Sequence, residues 1–154
     1  TTAKALGCGV PVGAFLMTEK VGQHSLTAGD HGTTYGGNPL ACAAVAKVLD
    51  LFEENNILEH VREVSAYLEE KLDSLAAKYD FITDRRGMGL MQGLVFDRPV
   101  APVINAALEN GLILINAGIN IIRFVPPLVI TDADVDEMIE ILDSCLKTFQ
   151  EQNA

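Results

Sequence analysis

Asn38-Pro39-Leu40-Ala41-Cys42-Ala43-Ala44-Val45-Ala46-Lys47-Val48-Leu49-Asp50-Leu51-Phe52 is the stretch at which this 154-residue chain becomes regular. Asn38 offers a side-chain acceptor to the free amides of a helix start. Pro39 suits the first helical position, where its missing N–H costs nothing. Ala41, Val45, Val48, Leu49 and Phe52 then recur at helical spacing, with Lys47, Asp50, Glu53 and Glu54 on the other side. The spacing predicts a helix from Leu40 onward.

Downstream, Val61, Val64, Leu68, Leu72 and Leu75 predict a second helix that ends near Tyr79. Two β-like segments follow, 81–86 and 89–96, with Arg86-Gly87-Met88-Gly89 between them read as a turn or bulge. Pro102 can open a helix to Glu109, and Asn110-Gly111 stops it. Segments 112–115 and 120–124 read as paired strands around Asn116-Ala117-Gly118, and Pro126-Pro127 ends the second. The last helix has Thr131 as its N-cap and Asp134 three residues on, a variant of the capping box. Val135, Met138, Ile139, Leu142, Cys145 and Phe149 form its apolar face, and the acidic tail beyond them is expected to fray. The order α-α-β-β-α-β-β-α indicates an α/β chain, a two-layer α+β sandwich. Upstream of Leu40 the chain is rich in Gly and Thr, with short apolar runs that read as strands and loops of something larger.

Composition narrows the partners. A net charge of −10 argues against nucleic acid and against an anionic membrane surface. No apolar run approaches the roughly 20 residues that cross a bilayer, and no signal peptide is visible. Cys8, Cys42 and Cys145 have neither metal-ligand spacing nor a disulfide framework, which favours reduced thiols in a cytoplasmic compartment and gives no metal site. The first residue is Thr1, so the chain is expected to be a fragment.

Two segments carry chemistry. Lys4 stands between a short apolar stretch and the glycine-rich turn Gly7-Cys8-Gly9. That setting suits an amine held rigid and partly desolvated, available for Schiff-base chemistry with a carbonyl; a solvated surface lysine is the plainer alternative. The second segment is His31-Gly32-Thr33-Thr34-Tyr35-Gly36-Gly37-Asn38-Pro39. Adjacent hydroxyls, glycines and a helix start can make a phosphate or carboxylate site. An ordinary Gly-rich loop with a hydroxyl-closed turn into the Asn38 cap is the plainer reading of this segment alone. His31, beside a glycine, reads as structural.

Together these segments resemble the class III pyridoxal-phosphate aminotransferases. Thr1–Ala14 is similar to the end of their lysine signature, and His31–Ala41 to their second signature, at the expected separation. Arg86-Gly87-Met88-Gly89-Leu90-Met91-Gln92-Gly93 and Ile122-Arg123-Phe124-Val125-Pro126-Pro127-Leu128 match the family's small-domain motifs in order. Gly111–Gly118 tilts the resemblance toward members that act on N-acetylornithine and away from those acting on ornithine or 4-aminobutyrate; an enzyme for ornithine, succinylornithine or 4-aminobutyrate is the alternative.

The resemblance implies the C-terminal part of a fold-type I enzyme. Residues 1–39 would be the tail of the large cofactor domain, and 40–154 the small C-terminal domain with the interdomain helix. It implies pyridoxal 5'-phosphate as cofactor, amino acids and 2-oxo acids as substrates, and a cytoplasmic homodimer with shared active sites, serving arginine biosynthesis. Lys4 would be the catalytic, cofactor-binding Schiff-base lysine. Thr34 would bind the cofactor phosphate across the dimer interface, and Thr33 would line the substrate pocket. Arg123 would meet a substrate carboxylate or an active-site glutamate, with a strand-end salt bridge as the alternative; Arg86 would be structural. Ala5 and Cys8 stand where the family often has glycine, and both are small enough for the loop. The family's other cofactor contacts would lie upstream of Thr1, so the chain alone is expected to be inactive. An isolated non-catalytic small domain is the alternative.

Overall fold

Asn38 caps the helix as its side chain predicts. In this computed structural model, which describes residues 1–152, its Oδ1 accepts the Ala41 N–H at 3.0 Å. Helix α2 then runs Pro39–Glu54. By compactness the chain divides into Thr1–Asn56 and Ile57–Ala154, so α2 falls with the N-terminal unit.

The first unit holds no strand ladder. A 3-10 turn spans Lys4–Gly7, and a short helix, α1, spans Glu19–Ser25. The expectation of strands in residues 1–39 is corrected here: the one β-like feature described is the isolated bridge Thr2–Ala14. Helix α1 has a sequence signal, since the Thr18 hydroxyl accepts the Val21 N–H at 3.4 Å. Gly22 inside it weakened that signal.

The second unit follows the expected order. Helix α3 is Ile57–Lys78, strand β1 is Ile82–Met88, β2 is Met91–Phe96, and helix α4 is Ala101–Glu109. Strands β3 (Ile115–Asn116) and β4 (Ile121–Phe124) precede helix α5, Asp132–Gln152. The sheet order is β1-β2-β4-β3, and every pairing is antiparallel.

Three boundaries differ from expectation. Arg86, Gly87 and Met88 are strand, not turn: they continue the ladder to Met88↔Met91 and the chain reverses at Gly89-Leu90. Residues 112–114 are not paired, because the β3 ladder reaches only Ile115 and Asn116. The acidic tail stays helical to Gln152; residues 153–154 lie outside the described part.

Helix α5 starts on the reciprocal cap that the sequence announces. Asp134 Oδ2 accepts from Thr131 N at 2.7 Å, and Thr131 Oγ1 accepts from Asp134 N at 3.3 Å. Such caps contribute about 1 kcal/mol each.

Leu68 and Leu72 of α3 and Leu142 and Leu146 of α5 meet Leu94 and Ile122 of the sheet in one core. All six are at most 1% exposed, and each buried Leu or Ile contributes about 1.5–3 kcal/mol. Alternation along the strands puts these residues on the covered face. Arg86, Met88, Met91 and Arg123 lie on the other face and are exposed.

Candidate functional site

Thr2 and Ala14 exchange backbone hydrogen bonds of 2.7 and 2.8 Å, which close residues 3–13 into a loop. The Lys4–Gly7 turn sits inside it and packs against α2. Lys4 has φ 62° and Cys8 has φ 45°. Left-handed backbone costs a residue with a Cβ roughly 1–2 kcal/mol, so the loop closure holds two unfavourable conformations in place. Strain of this kind gathers at functional sites. Cys8 is therefore not a neutral replacement for glycine, contrary to expectation, whereas Ala5 is outside the left-handed region.

The Lys4 side chain is exposed, and its amine has no partner among the described residues. The expected partial desolvation is absent: nothing in the Thr1–Asn56 unit covers the amine.

The loop before α2 is stitched by side chains. Asp30 accepts from Thr27 N and Oγ1, both at 2.7 Å, and these contacts hold its carboxyl below the usual range. Thr33 Oγ1 accepts the Gly36 N–H at 3.2 Å, which is the hydroxyl-closed turn weighed above. A Cβ at Gly36 would strike the Thr33 methyl, so this turn requires glycine. Asn38 Nδ2 donates to Tyr35 O at 2.8 Å and ties the loop to the helix start. Thr34 lies between these restraints, exposed and without a hydrogen-bond partner among the described residues. His31 meets Phe15 edge to face at 6.2 Å, a packing role.

Lys4, Thr33 and Thr34 thus belong to one unit, and Arg123 to the other. Arg123 sits mid-strand on β4, opposite Gly93 on one side and Ile115 on the other. The salt-bridge alternative fails, since its guanidinium has no ion pair among the described residues. It also borders a groove of about 350 Å³ whose walls include Leu68, Phe124, Pro126 and Met138. Arg86 is engaged, with Nε donating to Asp84 Oδ2 at 2.7 Å, which keeps the Asp84 carboxyl below the usual range.

Sequence reasoning passed over Gln92, which is 2% exposed and fully hydrogen-bonded. A polar residue in an otherwise apolar strand was the available signal.

The donor set can be tested against pyridoxal phosphate. An unpartnered primary amine suits its carbonyl carbon, and an unpartnered hydroxyl beside a glycine turn suits its phosphate. These residues fit the group.

Residues 1–146 match the model of the class-III aminotransferases. The acetylornithine aminotransferase of Clostridium acetobutylicum is 45% identical over 146 residues, which is 94% of this chain and 38% of that protein. The mitochondrial acetylornithine aminotransferase of Saccharomyces cerevisiae is 43% identical over 96% of this chain and 35% of its own length. The crystal structure of acetylornithine aminotransferase from Elizabethkingia anophelis superposes with a TM-score of 0.72 at 32% identity, over 78% of this chain and 31% of that one. The chain therefore spans less than two fifths of the length of these relatives.

Proposed function

The chain belongs to the class-III aminotransferase family, and from that premise we propose that it is the C-terminal portion of a pyridoxal 5'-phosphate-dependent enzyme. That enzyme transfers an amino group from N-acetylornithine to 2-oxoglutarate. The same proposal includes a place in arginine biosynthesis, a cytoplasmic location and a homodimer with shared active sites. Residues 1–39 form the tail of its large domain, and 40–154 its small domain with the connecting helix. The names of the relatives support the donor, as does the Gly111–Gly118 segment.

One observation carries the reading: Lys4 holds a left-handed backbone inside a bridged loop and presents an unpartnered amine. When bound, pyridoxal phosphate supplies an electron sink that acidifies a substrate carbon. Lys4 Nζ would hold the group and carry a proton to and from that carbon. Thr34 Oγ1 would hold a phosphate oxygen of the neighbouring subunit's site, and Thr33 would line the substrate pocket. Arg123 would meet a carboxylate, for which its planar fork is suited.

Parallel initial rates on the longer protein, with N-acetylornithine, ornithine, succinylornithine and 4-aminobutyrate as donors, test the assignment. N-acetylornithine is expected to react fastest. A preference for one of the others overturns the donor, and no transamination with any of them overturns the reading.

A further inference from the structure

The loop 31–37 presents Thr34, and little holds it in place. Among the described residues it makes no backbone–backbone hydrogen bond. Its two hydrogen bonds both come from side chains: Thr33 Oγ1 accepts the Gly36 N–H at 3.2 Å, and Asn38 Nδ2 donates to Tyr35 O at 2.8 Å. Packing adds little at its middle, since Tyr35 is 80% exposed. Gly32, Gly36 and Gly37 give the segment wide backbone freedom wherever it is not restrained. The Thr33 contact lies within the loop and sets its shape. The Asn38 contact ties that shape to helix α2.

One amide group therefore has two tasks. Its Oδ1 accepts the Ala41 N–H at 3.0 Å and caps α2. Its Nδ2 fixes the carbonyl of Tyr35, the residue that follows Thr34. Asn38 is half-buried, unlike the exposed residues 31–37 before it. Asp and Ser cap helices about as well as Asn. A carboxylate has no donor for the Tyr35 carbonyl, so the second task needs the amide.

We propose that Asn38 is a positioning residue for the cofactor phosphate. Its Nδ2 donor holds the loop that presents Thr34, separately from the Oδ1 acceptor that caps α2. The proposal rests on the reading of Thr34 given under the proposed function. A tethered loop has already lost freedom that binding would otherwise remove, so the tether is read as affinity.

Asn38→Asp keeps the cap and removes the donor. In the longer protein, equilibrium dialysis against pyridoxal phosphate is expected to show about fivefold weaker binding, the effect of one hydrogen bond. Pyridoxal, which lacks the phosphate, is expected to bind unchanged, and the urea midpoint is not expected to fall. Asn38→Ser, shorter and uncharged, is expected to weaken pyridoxal phosphate in the same way. In a Thr34→Val background, Asn38→Asp is expected to have no effect. Repulsion between a new carboxylate and the phosphate would persist there, whereas positioning has no hydroxyl left to act on. In this chain without cofactor, Asn38→Asp is expected to lower the backbone order parameter at Thr34 and leave that at Ala41 unchanged.

Unchanged affinity for pyridoxal phosphate in Asn38→Asp overturns the proposal, as does an equal loss for pyridoxal or in the Thr34→Val background. A lowered urea midpoint or an unchanged order parameter at Thr34 overturns it as well. Failure of the underlying reading looks different: the unmodified longer protein then takes up no pyridoxal phosphate, or loses none of its affinity in Thr34→Val, and both proposals fall.

Discussion

Gln92 and Glu69 are joined by a hydrogen bond of 2.9 Å from Nε2 to Oε1. The same Nε2 donates to Gly89 O at 2.6 Å, and Gln92 Oε1 accepts from Arg85 Nη1 at 3.0 Å. One buried amide thereby ties α3, β1 and the hairpin reversal together. Gly87 is pressed against it, since a Cβ there would strike Met91 O and Gln92 Oε1. The hairpin that carries Arg86 is fixed by this network.

Gln92→Leu keeps the volume and removes the partners. Glu69, the Gly89 carbonyl and Arg85, all half-buried, each lose a bond to the buried amide, so the unit is expected to lose about 1 kcal/mol. Urea denaturation followed by circular dichroism reads this as a lower midpoint with an unchanged slope. A midpoint equal to that of the unmodified chain contradicts the role given to the amide.

The helices were legible because their ends are written in side chains. Asn38, Thr131 and the Asn110-Gly111 stop each mark a backbone problem that a particular residue solves. The hairpin was misread because Gly87 and Gly89 look alike in sequence. Only Gly89, at φ 58°, occupies the reversal, while Gly87 is a strand residue required by the close approach of Gln92. Residues 112–114 are apolar enough for a strand, but the antiparallel register would set them opposite Phe124, Val125 and Pro126, where β4 ends and proline offers no donor. The site was legible as a set of motifs and not as a geometry. Nothing in the spacing around Lys4 announces a left-handed backbone at Lys4 and Cys8, because that conformation is imposed by the distant bridge from Thr2 to Ala14.

Asp143 sets an acid limit on stability. Burial raises its pKa, but hydrogen bonds from Lys78 and Tyr79 outweigh burial and leave the carboxyl below its usual value. Both Lys78–carboxylate distances are 2.7 Å, and the Tyr79 hydroxyl lies at 2.8 Å. A carboxylate depressed in the folded state adds stability above the unfolded value of about 3.9. That contribution is lost as pH falls through the folded value. Asp136, lowered by Lys71 and then Tyr67, acts in the same direction. The raised Lys78 works oppositely, contributing below about pH 10.4 and losing that contribution as pH rises further. Urea midpoints are therefore expected to be flat from about pH 5 to 9 and to fall below pH 4. Lys78→Met should lower the plateau and make the acid decline shallower, and an acid decline as steep as in the unmodified chain contradicts the assignment.

Lys4 presents a free amine with no covering groups from its own unit, so the chain by itself is expected to show little or no transamination. Incubation with pyridoxal phosphate, borohydride reduction and peptide mass mapping should yield scattered, substoichiometric labelling. The longer protein should carry one label at Lys4, lost in Lys4→Ala. A stoichiometric adduct at Lys4 with turnover in this chain alone contradicts the expectation.

Helix α2 is apolar over more of its circumference than a surface helix sustains. Leu40, Leu49 and Leu51 are 73%, 57% and 40% exposed, and Ala41 is the residue of the helix that is buried. A helix hydrophobic on several sides belongs in an interior, and each leucine withdrawn from water gains about 1.5–3 kcal/mol. Exposed apolar area of this extent drives association. The chain is expected to self-associate through α2, with a weight-average sedimentation coefficient that rises with concentration. Leu40→Lys with Leu49→Lys should return it to a monomer without lowering the urea midpoint of the Ile57–Ala154 unit, because neither residue belongs to that core. A concentration-independent monomer in the unmodified chain would show that α2 is tolerated in water as it stands.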